Sequence, residues 1–323
     1  MFERRRLMLS VLLAPLSGGP AWAAEPFPSR PIRIVYPGPP GVGLESVIRR
    51  IGDELRKQLG QPVIIDNKPG ANTQIGITAV AKSAPDGYTL GVGVVTNIAL
   101  AQHTYKSLPY DPLKDLTAVA LLARNYMALV SRPDAPYDTV SSLVRAARAS
   151  PAGVSVGATS LGGLPHMAFE QLGRMTGIPF TMISYTGNNQ IVQDLVGGRL
   201  DLAMIDYSSA GPLIDTGKLR LLGITSPERD PRFPKLPTIA ETVPGFDSMG
   251  WIGIMAPAGT PPDVVELLNA RFNHALAQPE VLESMAAFGL IPAPGSPREF
   301  AEHIGREYHK FGKLARDIGF KPQ

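Results

Sequence analysis

The sequence predicts an α/β protein made of two βαβ-type domains with a ligand cleft between them. Three observations carry this. From residue 30, short apolar segments alternate with segments whose apolar residues recur at helical spacing. The alternation restarts near Tyr126, so the middle of the chain forms a second unit set inside the first. In both units, loops rich in Gly, Ser, Thr and Asn join strand ends to helix starts. Strand–helix–strand repeats imply parallel sheets with right-handed crossovers, and ligands of such sheets sit at the carboxyl ends of the strands.

In chain order, "IRIVY" (Ile32–Tyr36) reads as a buried strand. The helix after it carries Leu44, Val47, Ile48, Ile51, Leu55 and Leu59 on one face and stops at Gly60. "PVIIDN" is the second strand, "KPGANTQ" a loop, and a helix of small residues runs from about Ile75 to Ser83. "PDG" is a turn and "YTLGVGVV" the third strand. In the second unit "MALVS", "VSVGA", "FTMISY" and "LDLAMID" read as strands of a further βαβαβ run. The helices between them include one with Val140, Leu143, Val144 and Ala147 on a face, one running through Met175, and one with Ile191, Val192, Leu195 and Val196. The chain returns through "LRLLGITS" and "WIGIMAP". It closes with helices over Pro262–Ala277, Pro279–Phe288 and Pro297–Asp317, and Trp251 is expected in the core where the domains join. The predicted organisation is a leader over residues 1–23, domain I from 24–125 and 224–323, and domain II from 126–223. Two or three strands cross between them.

The leader has the plan of a signal peptide. An Arg-rich head is followed by a short apolar run from Leu7 to Leu16, and Ala21-Trp22-Ala23 supplies an A-x-A cleavage site. Arg4-Arg5-Arg6-Leu7-Met8 also fits a loose twin-arginine pattern, so both the Sec and twin-arginine routes stay open. The leader explains the basic balance. Without its three Arg and one Glu, the chain holds 28 basic and 27 acidic residues, a net of +1. A nearly neutral chain with no run of like charges argues against a nucleic-acid or anionic-membrane surface. The absence of cysteine excludes disulfides, thiolate metal sites, a cysteine nucleophile and a lipid-anchoring cysteine. The expected location is the periplasm, free of any lipid anchor.

The βα loops are the candidate sites. "GPPGVG" (Gly38–Gly43) lacks the Lys and Ser/Thr of a P-loop and is not G-x-G-x-x-G, so nucleotide binding is disfavoured. Glycines that let backbone N–H groups approach, followed by a helix start, suit a small carboxylate. A plain strand-to-helix turn is the alternative. "GANTQ" (Gly70–Gln74), "ATSLGG" (Ala158–Gly163) and "YTGNNQ" (Tyr185–Gln190) have the same character, and small polar residues are also what such turns ordinarily use. "ATSLG" is one residue from the nucleophile elbow G-x-S-x-G, which raises a serine hydrolase using Ser160. His166 is only six residues on, against the usual order of Ser, acid, His. His303 lies one turn from Glu299 and from Glu307, a weak metal arrangement that equally suits a salt-bridge stripe. His166 suits a structural or a ligand-facing role, and Asp206 either accepts from a ligand or caps the following helix.

The ordered set "NKPGANTQIG", "AKSAPDGYTL", "LPYDPLKDL", "LVGGRLDL", "GKLRLLGITSPER", "LPTIAE" and "WIGIMAPAGTPP" resembles the Bug-type receptors of tripartite tricarboxylate transporters. The resemblance runs from about Phe27 to Ile318. It implies a periplasmic-binding-protein (Venus flytrap) fold, a carboxylate ligand held by backbone groups and water at the βα loops, and delivery to membrane permease subunits. No titratable pair stands where acid–base work would require it and no HExxH or cysteine is present, so no chemistry on the ligand, no cofactor and no metal are expected, and the receptor is expected to be a monomer. The candidate ligand-binding residues of domain I are Tyr36, Gly41, Val42, Gly43, Asn72, Thr73, Thr96 and Asn97, of which Gly41, Val42, Gly43, Thr96 and Asn97 are carried over by position. Those of domain II are Thr159, Ser160, Gly162, Gly163, His166, Thr186, Gly187 and Asp206. Where the family has Gly-Gly-x-Thr-Asp, this chain has Gly41-Val42-Gly43-Leu44-Glu45, and its Thr96-Asn97-Ile98 stands for Gly-Thr-His. Val42, Leu44, Ile98 and Leu161 make the expected cleft more apolar than in relatives, which predicts a carboxylate with an apolar or aromatic body. A hydrolase and a receptor that signals to a sensor protein remain as alternative classes.

Overall fold

Two sheets organise the protein, whose computed structural model describes residues 27–41, 43–149 and 153–322. The leader and Val42 lie outside the described residues. In the first sheet, β1 (Ile32–Tyr36) lies between β2 (Val63–Asn67) and β3 (Thr89–Val94), all parallel. The crossovers are α1 (Leu44–Leu59) and α2 (Gln74–Ala81). Ile32, Ile34 and Val35 are buried because helices cover both faces of a central parallel strand. β3 ends in a π-helical turn over Thr96–Leu100, continued by the short α3 (Ala101–Thr104).

The segment "LTAVALLARN", for which the pattern predicts no element, forms β4 (Leu116–Asn125). Its Ala and Leu residues carry neither period because the strand is buried on both faces. β4 stops one residue short of β5 (Met127–Ser131), so Tyr126 is the first crossing between the sheets.

The second sheet has the order β7-β6-β8-β5-β9, with β6 (Val154–Ala158), β7 (Phe180–Ser184) and β8 (Leu202–Asp206) parallel. β5 pairs with β8 antiparallel, and β9 (Arg220–Ile224) pairs with β5 antiparallel. This corrects the expectation of a wholly parallel βαβαβ run beginning at "MALVS". β5 continues β4 across the junction, so its direction is set by the crossing and not by a helical crossover. The helices here are α4 (Val140–Ala149), α5 (Leu164–Thr176), α6 (Asn188–Val196) and α7 (Tyr207–Asp215).

The chain returns to the first sheet as β10 (Gly250–Pro257), antiparallel to both β3 and β4. Met127 N–H donates to Thr225 Oγ1 at 2.9 Å and Ser248 N–H to the Thr225 carbonyl at 3.1 Å, which ties the two crossings together. Then come α8 (Pro262–Leu276), α9 (Pro279–Ala287), β11 (Ile291–Pro292), which edges β4, and α10 (Pro297–Asp317). α10 starts with a capping box between Ser296 and Glu299. At about 1.5 Å per residue its 21 residues are long enough to touch both halves. Near its start Phe300 meets Trp251 of β10, ring centroids 5.5 Å apart. At its end the Asp317 carbonyl accepts from Arg174 Nη1 of α5 at 2.7 Å. One apolar core accordingly runs behind the cleft from Trp251, Phe300 and Phe311 to Phe169 and Leu172. The outer face of each sheet has a separate core, under α1, α8 and α9 on one side and α6 and α7 on the other.

Candidate ligand-binding cleft

A cavity of ≈ 890 Å³ opens between the sheets, at the carboxyl ends of β1, β3, β6 and β8. Its walls differ. The first-sheet wall is Tyr36, Pro39, Leu44, Val94 and Val95, with Trp251 and Ile252 of β10 and Phe288 and Leu290 beyond α9; Thr96 and Asn125 add polar groups. The second-sheet wall is Thr159 and Thr186, the α6 residues Asn188, Asn189 and Gln190, and Asp206, Ser208 and Ser209, with Met127, Leu164, Pro165 and Tyr207 among them. Among the described residues that line the cavity, Asp206 carries the one carboxylate, and none is Lys, Arg or His.

The helix starts explain the contrast. α1 enters from the loop expected to hold a ligand carboxylate. There Glu45 turns back, so that its Oε2 accepts from Gly41 N–H at 2.9 Å and its Oε1 from Arg49 Nε at 2.7 Å. Its side chain is 4% exposed. Hydrogen bonds from Arg49 and then Gly41 hold its carboxyl below the usual range. The anion at this helix start is therefore the protein's own. In the second half, α5, α6 and α7 begin at the cavity with no side-chain cap and no acidic residue in the first turn. Pro165 has no N–H and Thr186 N–H is taken by Gln190 Oε1, but first-turn N–H groups and partial positive charge of α5 and α6 remain available to a ligand.

Asp206 occupies the cap position of α7 but makes no cap hydrogen bond. Its carboxylate accepts from Asn188 Nδ2 at 3.3 Å. The side chain lines the cavity and is exposed there. Loss of bulk solvation pushes its carboxyl above the usual range, opposed by the Asn188 bond. Tyr36 faces it from the other wall. Burial first, then the charges of Glu45 and Asp206, push the Tyr36 phenol up to about 12.

Of the expected site residues, Tyr36, Gly43, Thr96, Thr159, Thr186, Gly187 and Asp206 line this cavity. Others are committed elsewhere. Gly41 serves Glu45. Asn72 donates to the Tyr105 hydroxyl at 3.0 Å, in a left-handed turn of Ala71, Asn72 and Thr73 with φ 45, 51 and 71. Asn97 is fully buried and its Oδ1 accepts from Val94 N–H at 2.8 Å, closing the turn after β3. His166 is 6% exposed and braces its own loop. Its Nδ1 accepts from Gly162 N–H at 2.8 Å, so Nε2 carries the hydrogen and faces Glu170 at 3.3 Å. Both ring nitrogens are thus occupied and neither reaches Ser160, whose carbonyl accepts from Gly163 N–H. Gly162, with φ 73, lies so close to Thr104 that an added Cβ would meet it at 2.7 Å. Glu299 of the candidate metal stripe is spent on the α10 cap.

The apolar wall also differs from its expectation. Leu44 lines the cavity, but Ile98 is core and Leu161 is 42% exposed outside the lining. The wall comes instead from Pro39, Val94, Val95, Phe288 and Leu290, residues from turns and strand ends with no motif to mark them. Tyr126, Tyr207, Ser208 and Ser209 were also not singled out. The signal for them was positional, since they sit at a sheet crossing and a helix start.

Two α/β sheets joined by crossing strands, with helix starts aimed into a cavity between them, define a two-lobed solute-binding protein. The sequence profile described as tripartite tricarboxylate transporter family receptor (TctC) matches residues 47–320, and the chain belongs to that family. Its members are periplasmic solute receptors, not enzymes. The chain is 34% identical to BugT of Bordetella pertussis over 93% of this chain and 92% of that protein. Among solved structures it is similar to Rpa4515 of R. palustris, determined with adipate. There the TM-score is 0.82 and the identity 31%, over 92% of this chain and 100% of that one. It is also similar to MatC of Rhodopseudomonas palustris with bound malate, with TM-score 0.78 and 31% identity, over 90% and 100% of the two chains.

Proposed function

We propose that this protein captures a small carboxylate with an apolar or aromatic body and delivers it, chemically unchanged, to the membrane subunits of a tripartite tricarboxylate transporter. The observation that carries the reading is the pair of helix starts α5 and α6, each with a glycine cap and no acidic residue in its first turn, opening on one cavity opposite a largely apolar wall. The ligand carboxylate lies against these helix starts with Thr159 and Ser208, and the body lies against Leu44, Val95 and Phe288. Residues 24–125 with 224–323 act as one lobe and 126–223 as the other, and ligand binding favours their closure about Tyr126 and the 224–250 return. Residues 1–23 direct export to the periplasm and are removed there. The adipate and malate bound by relatives support a carboxylate ligand.

The test is a thermal-shift screen of the purified protein against mono-, di- and tricarboxylates with aliphatic and aromatic bodies. A ligand that binds only the native state raises the Tm. A shift confined to carboxylates, lost in their carboxamides, supports the reading, and no shift with any carboxylate ends it. Uptake of the same compound should then fail in cells lacking either this protein or the transporter's membrane subunits. Uptake that persists without the membrane subunits would leave a receptor that does not serve this transporter.

A further inference from the structure

The return from β9 to β10 carries a buried ion pair outside the cavity. Asp230, its side chain 2% exposed, accepts from Arg232 Nε on Oδ1 at 3.0 Å and from Nη2 on Oδ2 at 2.6 Å. The Arg232 backbone N–H also donates to Oδ1, at 2.9 Å. Burial by itself would raise the Asp230 carboxyl, but the bonds from Arg232 outweigh it and hold the carboxyl below the usual range. A guanidinium is a rigid fork, so a carboxylate that takes two of its nitrogens aims the third. That third nitrogen, Nη1, donates to the Leu290 carbonyl at 2.8 Å. The Tyr126 hydroxyl donates to Asp230 Oδ2 at 3.1 Å. One buried acid thus joins the first crossing, at Tyr126, to an arginine that reaches the first-sheet half.

The two ends of the Arg232–Leu290 bond rest on different halves. The return lies against the second sheet. Ile224 N–H at the end of β9 donates to the Pro237 carbonyl at 2.8 Å, and Phe233 packs on Tyr207 of α7 with ring centroids 5.8 Å apart. Leu290 follows α9 and precedes β11, the strand that edges the first sheet. In the same turn Gly289 approaches Tyr207 closely enough that an added Cβ would lie 3.6 Å from its ring. Phe288 and Leu290 of this turn line the cavity, as do Tyr126 and Tyr207.

On the reading that the two lobes close about Tyr126 and this return, we infer that Arg232 is a latch that fixes their opening by holding the turn before β11, with Asp230 and Tyr126 aiming it. Hydrogen bonds of this kind span only about 2.7–3.2 Å, so the latch is made over a narrow range of lobe angles. Its loss frees the Phe288–Leu290 turn, and with it part of the cavity wall, to shift against α7. Arg232 is a positioning residue. It sets the separation of the walls that meet the ligand.

The chain has no cysteine, so Glu266→Cys on α8 and Lys218→Cys between α7 and β9 give two unique, exposed points for nitroxide labels. Double electron–electron resonance reads the distance between them across the lobes. Arg232→Lys keeps a cation for Asp230 but lacks the fork that spans to Leu290, and Asp230→Asn with Arg232→Met removes both charges. Either change should broaden the distance distribution or move its centre by more than about 2 Å. Arg229→Met breaks the exposed pair with Glu241, within the return itself, and should leave the distribution unchanged. A purely structural role for Arg232 would lower the Tm and leave the distances alone. Circular dichroism shows which variants are folded. Arg232→Lys leaves the buried acid paired and decides the matter should the double variant unfold. Distances that match the parent's in a folded Arg232 variant overturn the latch. The parent with and without adipate or malate then separates the two causes: a change in distance means that the lobes move without this latch, and no change means that their closure fails as well. The carboxylate reading is decided apart from this, by the thermal-shift screen.

Discussion

The start of α1 and the starts of α5, α6 and α7 are built from the same kind of loop and do opposite things. Each follows a parallel strand and opens toward the cleft; the loops into α1, α5 and α6 are rich in small residues, whereas α7 begins directly at the end of β8. At α1 the polypeptide supplies its own anion, since Glu45 takes the Gly41 N–H and pairs with Arg49. At α5 and α6 the cap is a glycine and no acid enters the first turn, while at α7 Asp206 stands at the cap position without making a cap bond. A helix start is therefore a potential anion site whose availability depends on one neighbouring residue. The first half, with its anion already in place, contributes shape and apolar surface. The second half contributes most of the polar groups and the one lining carboxylate, alongside Leu164 and Pro165.

The largest effect should come from the wall that the first half provides. Trp251 is 2% exposed, faces the cavity and packs against Phe300. Trp251→Ala is expected to lower unfolding stability by about 3–5 kcal/mol, read from urea denaturation. A loss under about 1 kcal/mol would mean that the first half is not a rigid wall.

Next is a contrast in ligand selectivity. Thr159 and Ser208 line the cavity, and their hydroxyls make no hydrogen bond within the described structure. Thr159→Val with Ser208→Ala should weaken a carboxylate ligand about tenfold or more and shrink its advantage over the matching carboxamide. Phe288→Ala should weaken both by a similar factor of about ten, since it removes apolar contact without regard to charge. Calorimetry with the acid and its amide reads both effects. Equal selectivity losses in the two variants would erase the division of labour.

A pH effect should belong to the support behind the first wall. Burial, aided by Arg124, Arg306 and Lys310 and opposed by Asp247, pushes the His303 imidazole down to about 4. Its ring lies 5.8 Å from that of Trp251. The folded value is below the ordinary one near 6.5, so the unfolded chain binds the proton first. The stabilisation is whole above about pH 6.5 and is lost as pH falls toward 4. His303→Gln should flatten the stability curve over that window relative to the parent protein, in Tm measured against pH. Parallel curves would remove His303 from the account.

The smallest effect is expected at Glu45. Glu45→Gln keeps an acceptor for Gly41 N–H while removing the charge, and ligand affinity should change by less than about threefold. A tenfold change would show that the start of α1 reaches the ligand after all, and the contrast between the halves would fail.

Much of this architecture was legible in the chain. The 3.6-residue spacing of Leu44, Val47, Ile48, Ile51 and Leu55 marked α1, and Pro262, Pro279 and Pro297 marked the starts of α8, α9 and α10. β4 was not legible, because a strand buried on both faces shows no alternation. Nor was the direction of β5, which follows from its continuity with β4. In the cleft, Thr159, Thr186 and Asp206 could be found because polar residues after a strand mark a βα loop. Phe288, Leu290 and Tyr126 could not, since apolar residues in core-like runs look alike whether they face a cavity or a neighbour. His166 and Asn97 went the other way. Polar residues in the right loops, they turned inward to satisfy the backbone of those same loops.

The sequence by itself determined the class of the fold, the nested pair of α/β units and the loops from which a site is built, because periodicity and turn residues act over a few positions along the chain. It also determined the composition that leaves no cysteine and a nearly balanced charge. Tertiary structure alone decided which helix starts are available to a ligand and which loop residues face it. It also placed Asp206 at the cavity, where none of the described lining residues is Lys, Arg or His. Those outcomes depend on which side chains converge through space, and a neighbour such as Glu45, one turn from the glycine it binds, can use up a site that local pattern leaves open.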